Sequence, residues 1–188
     1  MSKSTPTQSP VLSQLHQLLD RVIQHPTYLR LVKQIEAQHQ TMTHLPQSVL
    51  TTLGTLAPWL ALIGGVLGVY GSVGTISFGL GASPFSSTWV QLFTGVPRFY
   101  FIVTGVIQLC MGIIHLLAFS LLKTYHIRGW QLISLTVALS VLTMIMSAFF
   151  SLTSLIGAVF MQLIGLYLLF ELKPLYTAKG KPDHVDAE

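Results

Sequence analysis

The sequence predicts an all-α, polytopic membrane protein built on a four-helix transmembrane bundle. Three observations carry that expectation. Only 9% of the 188 residues are charged and 51% are hydrophobic, with a mean hydropathy of +0.64, whereas soluble globular domains carry about 25% charged residues. Residues 58–97, 99–122 and 129–170 contain no Asp, Glu, Lys or Arg. These blocks also lack the alternating ~10-residue segments of a transmembrane barrel, and lipid offers no partner to backbone groups outside a helix.

Residues 1–10 (MSKSTPTQSP) read as disordered. Residues 11–45 read as cytoplasmic amphipathic helices. Leu12, Leu15, Leu19 and Val22 recur at helical spacing, widened by Leu18 and Ile23, opposite Gln14, Gln17 and Arg21. His25-Pro26 interrupts the pattern, and proline suits a first helical turn. Tyr28, Leu31, Val32 and Ile35 then continue as a second short helix. Such helices either lie on the membrane surface or dock on a partner. His16, His25, His39 and His44 show no i,i+4 pair and no Cys or Glu at ligand spacing, so they read as solvated polar residues and no metal is expected. The first fifty residues hold no early apolar core and no cleavage site, so no signal peptide is expected.

A helix crosses the hydrocarbon in about 20 residues. Residues 58–81 and 99–122 each supply one span, the second bounded by Arg98 and Lys123. Residues 129–170 would make a helix of roughly 63 Å, twice a bilayer, and must fold back. The break is expected in FFSLTSLIG (149–157), giving spans at 130–149 and 154–172. The membrane domain then covers 55–173, and 174–188 form a polar cytoplasmic tail. Lys3, Arg21, Arg30 and Lys33 precede span one, Lys123 and Arg128 lie between spans two and three, and Lys173, Lys179 and Lys181 follow span four. Arg98 stands alone on the other side, so both termini are expected to be cytoplasmic.

Within the spans the polar and small residues fall into stripes. Span one holds Gly64, Gly68 and Gly71, where small residues let helices approach closely. This face reads as packing within the bundle or as a homodimer contact. Span two places Gly105, Gln108, Gly112 and His115 on one face, span three Thr136, Ser140, Thr143 and Ser147, and span four Ala158, Gln162 and Gly165. Gln108 and Gln162 sit at similar depth. Gln108 is expected to bond Gln162 directly or through Ser140 and Thr143, while His115 packs under Gly64. Cys110 reads as a small buried apolar residue. Trp59, Trp89 and Trp130, with Phe85 and Phe93, read as interface anchors. Glu171 is expected in a rim ion pair near Lys173 and Arg128.

The chemistry in these spans is sparse. They contain no carboxylate for a proton relay, and a single histidine excludes bis-histidine haem. Paired-Asp, Ser/His and His-Glu metal arrangements are missing, so neither enzyme activity nor a cofactor is expected. A faint repeat links GIIHLLAFSLLKTY (112–125) with GLYLLFELKPLY (165–176), which suggests two tandem hairpins.

RGWQL opening the third span and LYLLFELKPLY closing the fourth resemble a pattern in small four-span bacterial membrane proteins of unassigned function, cyanobacterial ones especially, over residues 55–176. The resemblance implies a bacterial inner (cytoplasmic) or thylakoid-type membrane and assigns no catalytic residues. Two functions remain open. One is a non-catalytic accessory or assembly protein whose partners are the lipid bilayer and other membrane proteins or a second copy, with no nucleic acid. The other is a small transporter or channel with a polar path near Gln108, Ser140 and His115.

Overall fold

A computed structural model of the chain describes residues 10–82, 96–149 and 152–177, and among them the regular structure is entirely helical. The chain divides into two compact units, residues 1–42 and 43–188. The first holds α1 (Pro10–Ile23) and α2 (Pro26–His39). The second holds α3 (Gln47–Gly79), α4 (Arg98–Lys123), α5 (Ile127–Ala148) and α6 (Leu152–Thr177). Expectations for residues 1–9, for the segment holding Phe85, Trp89 and Phe93, and for residues 178–188 lie outside the described residues.

In the first unit, Pro26 opens α2 and His25 caps it, its Nδ1 accepting from Thr27 N–H at 3.4 Å. His25 is therefore a capping residue, not simply a solvated one. Leu18 (58% exposed) and Leu31 (52%) lie on the expected apolar stripe and remain open to the surroundings.

In the second unit, α3 to α6 are each long and apolar enough to cross a membrane. Their order is up-down-up-down, each packing on the next in sequence. α4 spans Arg98 to Lys123, and the fold-back after α5 falls between Ala148 and Leu152, inside the expected break. α3 starts eleven residues earlier than the expected span and runs 33 residues, roughly 50 Å. Pro58 lies inside it. The ring removes the N–H that would reach Gly54 O, yet the buried proline does not stop the helix. Thr51, Thr52 and Thr55 return their hydroxyls to their own backbone before it, as in Thr55 Oγ1 to Thr51 O at 2.7 Å. α6 likewise continues through Pro174 to Thr177.

The ends of these helices are specified locally. α3 closes on Gly81, at φ +74°, with Ala82 N–H donating to Ser77 O and Gly81 N–H to Phe78 O. This is the Schellman arrangement, in which a residue without Cβ takes the left-handed position. α4 closes with the same bond pattern, His126 N–H to Leu121 O and Tyr125 N–H to Leu122 O, but here Tyr125 takes φ +51°. A left-handed non-glycine costs about 1–2 kcal/mol. Tyr125 is held there by stacking on the buried Tyr176, centroids 5.6 Å apart. His126 then caps α5, accepting from Arg128 N–H at 3.1 Å. Three residues thus turn the chain from α4 into α5.

The closest packing is between α3 and α4. A Cβ on Gly112 would stand 2.8 Å from Val69 N, and one on Gly65 would stand 3.1 Å from Gly112 O. Gly68 would meet Gly112 Cα at 3.2 Å, and Gly105 would meet Ile76 N at 3.1 Å. Gly79 would meet Ile102 N at 3.0 Å. Ser72, fully buried between these levels, turns its hydroxyl to Val69 O at 2.7 Å. Gly65, Ser72 and Gly79 recur every seven residues, as do Gly105 and Gly112. The two backbones therefore touch along most of their length. Further round, Gly129 seats α5 on Leu121 and Leu122 of α4, and Trp130 of α5 donates from Nε1 to Leu169 O of α6 at 2.7 Å. α3 and α6 touch least of the neighbouring pairs, with Leu175 against Gly54.

This seam makes a test. Gly112→Ala drives a methyl onto backbone and is expected to destabilise the bundle by about 1–3 kcal/mol. Gly64→Ala faces only the His115 ring at 4.0 Å and is expected to be neutral or slightly stabilising, since alanine favours helix. Reversible unfolding of both variants in lipid-detergent micelles measures the difference.

Candidate functional site

Polar residues of the membrane helices line two separate hollows. Toward the Arg98 end, a groove of about 500 Å³ lies among α4, α5 and α6, lined by Thr104, Gln108, Ser140, Thr143, Met161 and Gln162. Toward the Lys123 end, a cavity of about 300 Å³ lies among all four helices, with Ala57, Ala61, His115, Trp130, Gly165 and Tyr176 in its wall.

Gln162 is the best-anchored polar side chain in the groove. Its Nε2 donates to Val137 O at 3.1 Å, across the α5–α6 interface. That bond fixes the amide orientation, because the flipped form would set oxygen against oxygen. Its Oε1 lies 2.8 Å from Ser140 Oγ, and Ser140 Oγ also lies 2.7 Å from Val137 O. The hydroxyl has one proton, so it donates to one of these acceptors at a time. The other hydroxyls on the α5 stripe turn to their own helix, Thr136 to Ile133 O, Thr143 to Ser140 O and Ser147 to Met144 O, each at 2.8 Å.

Gln108 departs from expectation. It shares the groove with Gln162 but turns to α3 instead of bonding it. Its Oε1 lies 3.5 Å from Thr75 Oγ1, whose better acceptor is Gly71 O at 2.9 Å. Its Nε2 lies 3.1 Å from where a Gly71 Cβ would be. The space left by Gly71 draws the amide toward α3, a choice that depth along parallel helices does not reveal.

His115 lies beside Gly64, as expected, with its ring carbon 4.0 Å from the Gly64 Cβ position. Its Nδ1 lies 2.8 Å from Met111 O. A carbonyl only accepts, so Nδ1 carries the proton and Nε2 of the neutral ring is an acceptor. Tyr176 lines the same cavity at 4% exposure, and its buried hydroxyl has no hydrogen-bond partner among the described residues.

Among the nominated packing glycines, Gly68, Gly105 and Gly112 lie on the α3–α4 seam, and Gly71 receives Gln108. Gly64 stands aside from the seam. Gly165 packs against nothing within 4 Å and instead opens into the cavity. Gly65, Ser72, Gly79 and Gly129 carry close contacts that the G-x-x-x-G spacing of Gly64 and Gly68 did not single out. The heptad recurrence of Gly65, Ser72 and Gly79 was the available signal. Trp59 is 53% exposed, as an anchor should be. Trp130 is 3% exposed and locked by its bond to Leu169 O, so it is a core residue and not an anchor. Lys173 Nζ sits 5.3 Å from its ring centre. Cys110 is exposed on the outside of α4, not buried.

At the Lys123 end, Glu171 is 3% exposed, with Oε1 2.9 Å from His44 Nδ1. Tyr167, one turn before it, donates to Thr43 O at 2.7 Å. The segment before α3 is thereby tied to α6. His44 is thus an ion-pair or hydrogen-bond partner as well as a solvated residue, and Glu171 has a partner far away in sequence.

No protein-family model, curated protein or solved structure matches the chain.

The groove geometry makes a second test. In a double-mutant cycle, Ser140→Ala and Gln162→Leu are expected to couple by about 0.6–1.7 kcal/mol, the measured range for such bonds in membranes. Gln108→Leu with Gln162→Leu is expected to be additive. Coupling between the two glutamines beyond that found for Ser140 and Gln162 would contradict the placement of Gln108 against α3.

Proposed function

We propose that the protein is a non-catalytic integral membrane accessory or assembly protein that binds other membrane proteins through its N-terminal amphipathic helices. The observation that carries this reading is the first unit, a pair of amphipathic helices that leaves Leu18, Val22, Leu29 and Leu31 exposed. A solvent-facing helix gains nothing from such a stripe, whereas a partner surface covers it. The chemically quiet membrane helices agree with this role. The serine and threonine hydroxyls of the α5 stripe reach their own backbone, and the helices carry no acidic side chain between Leu53 and Phe170. In this reading the chain sits in a bacterial inner or thylakoid-type membrane, with both termini on the cytoplasmic side, following the placement of its basic residues.

A small transporter is the second reading. The groove holding Gln108, Ser140 and Gln162 favours it. Against it, His115 lines the other cavity, so the polar residues do not line one route through the bundle.

Gentle solubilisation of native membranes carrying the C-terminally tagged chain is expected to recover it in a complex of reproducible composition and mass. Leu18→Glu with Leu31→Glu, at exposed positions, is expected to return it to the mass of the free protein without loss of the helical spectrum. Recovery of the wild-type chain alone would remove the partner reading. Thiol labelling from the aqueous phase at Gln108→Cys, Ser140→Cys and Thr143→Cys, in a Cys110→Ser background, would then support a path.

A further inference from the structure

The cavity at the Lys123 end takes no part in the partner reading and stands independently of it. We propose that it is a binding slot for one neutral, single-chain lipid drawn sideways from the bilayer, with the lipid's hydroxyl group held by Tyr176 or His115.

Size and shape come first. Gly165 and Tyr176 mark its extent along α6 and lie eleven residues apart, roughly 16 Å. The packing of α4 on α5 and of α5 on α6 puts His115 at the Gly165 end. The cavity holds about 300 Å³, at the small end for a ligand pocket, and so suits one hydrocarbon chain. A two-chain phospholipid does not fit such a slot.

Chemistry comes second. The wall is almost wholly apolar, from Leu53 and Ala57 through Ile133 and Val137 to Leu168 and Leu172. No lining residue is charged, so a carboxylate or phosphate would enter without a counter-charge, at high cost in a low-dielectric site. Two polar groups remain. Tyr176 offers a buried hydroxyl without a partner among the described residues, and buried polar groups are almost always satisfied. His115 offers Nε2 as an acceptor, because Nδ1 is bound to Met111 O. A neutral hydroxyl, which both donates and accepts, satisfies either end.

Access comes third. α3 and α6 make the lightest contact of the four neighbouring pairs, and Leu60, which lines the cavity, is 61% exposed. The slot therefore opens between α3 and α6, toward the hydrocarbon where such a lipid is dissolved. Gly165 keeps that wall thin: nothing lies within 4 Å of its Cβ position.

The test uses the full chain in phosphatidylcholine vesicles. Trp59→Phe and Trp89→Phe leave Trp130, in the cavity wall, as the only tryptophan. Dibromo-octadecanol, whose bromines quench tryptophan on contact, is titrated at low mole fraction. The expected result is saturable quenching. Gly165→Phe, which fills the slot, is expected to abolish the saturable part. Gly157→Phe, at an equally open position outside the cavity, is expected to leave it unchanged. Either Tyr176→Phe or His115→Ala, whichever removes the end that holds the hydroxyl, is expected to raise the half-saturating fraction about three- to tenfold; no change in either variant would overturn the polar anchoring. Dibromostearate at a pH where it is ionised is expected to bind more than tenfold more weakly. Quenching that rises linearly with the probe, or that saturates equally with Gly165→Phe in a folded protein, would overturn the proposal. Equal saturation by the ionised acid would overturn its neutral-lipid part.

Discussion

Everything in the membrane unit depends on the close approach of α3 to α4. In lipid there is no hydrophobic force to press two apolar helices together, so their association rests on packing contact. Glycines and one serine remove the side chains that would hold these two backbones apart. Gly65, Gly68 and Ser72 on one helix meet Gly105 and Gly112 on the other, and Gly79 meets Ile102, with would-be glycine Cβ atoms about 3 Å from opposing backbone. The pair forms the tightest interface of the unit. α5 then packs on α4 through Gly129 and the three-residue turn, and α6 packs on α5 through Trp130 and Gln162. Because the tight seam lies on one side, the bundle closes lightly on the other. The lateral opening between α3 and α6, and the slot behind it, follow from that asymmetry.

The polar groups follow a different rule. In hydrocarbon a hydroxyl needs a partner, and the nearest one is its own helix carbonyl. Thr136, Thr143 and Ser147 take that solution, so a stripe that looks like interhelical glue is largely satisfied within α5. Gln162 has too long a side chain for it and reaches Val137 O on the neighbouring helix instead. Gln108 falls into the gap above Gly71. The buried Tyr176 hydroxyl alone finds neither solution among the described residues lining the slot, which is why it carries weight there.

Much of the fold was legible in the sequence. Charge-free blocks located the membrane helices, Arg98 and Lys123 bounded α4 to the residue, and arithmetic on residues 129–170 required the fold-back. Helical spacing and Pro26 found α1 and α2. The spans expected at 58–81 and 154–172 fell short of the helices, which run through Pro58 and Pro174 because a membrane helix tolerates the loss of one hydrogen bond. Position along the chain also could not say which side of α4 Gln108 would take, since that depends on the hole left by a glycine on another helix. Trp130 was misread for a similar reason: a tryptophan near a helix end is as suited to an interface as to a core, and only its bond to Leu169 O decides. The cavity was invisible to sequence because it is made of what four helices leave out.

The most direct measurement of the seam is the distance between glycine backbones in a bilayer. The chain has 15 glycines, few enough to resolve when Cα is labelled with carbon-13. Solid-state NMR on the reconstituted protein should show magnetisation transfer between Gly68 and Gly112, and between Gly65 and Gly112. Transfer at these pairs is the result expected from a backbone-to-backbone seam. If those pairs show none, and Gly65, Gly68 and Gly112 instead exchange magnetisation with lipid chains, then α3 and α4 are not in contact and the arrangement built on them is wrong.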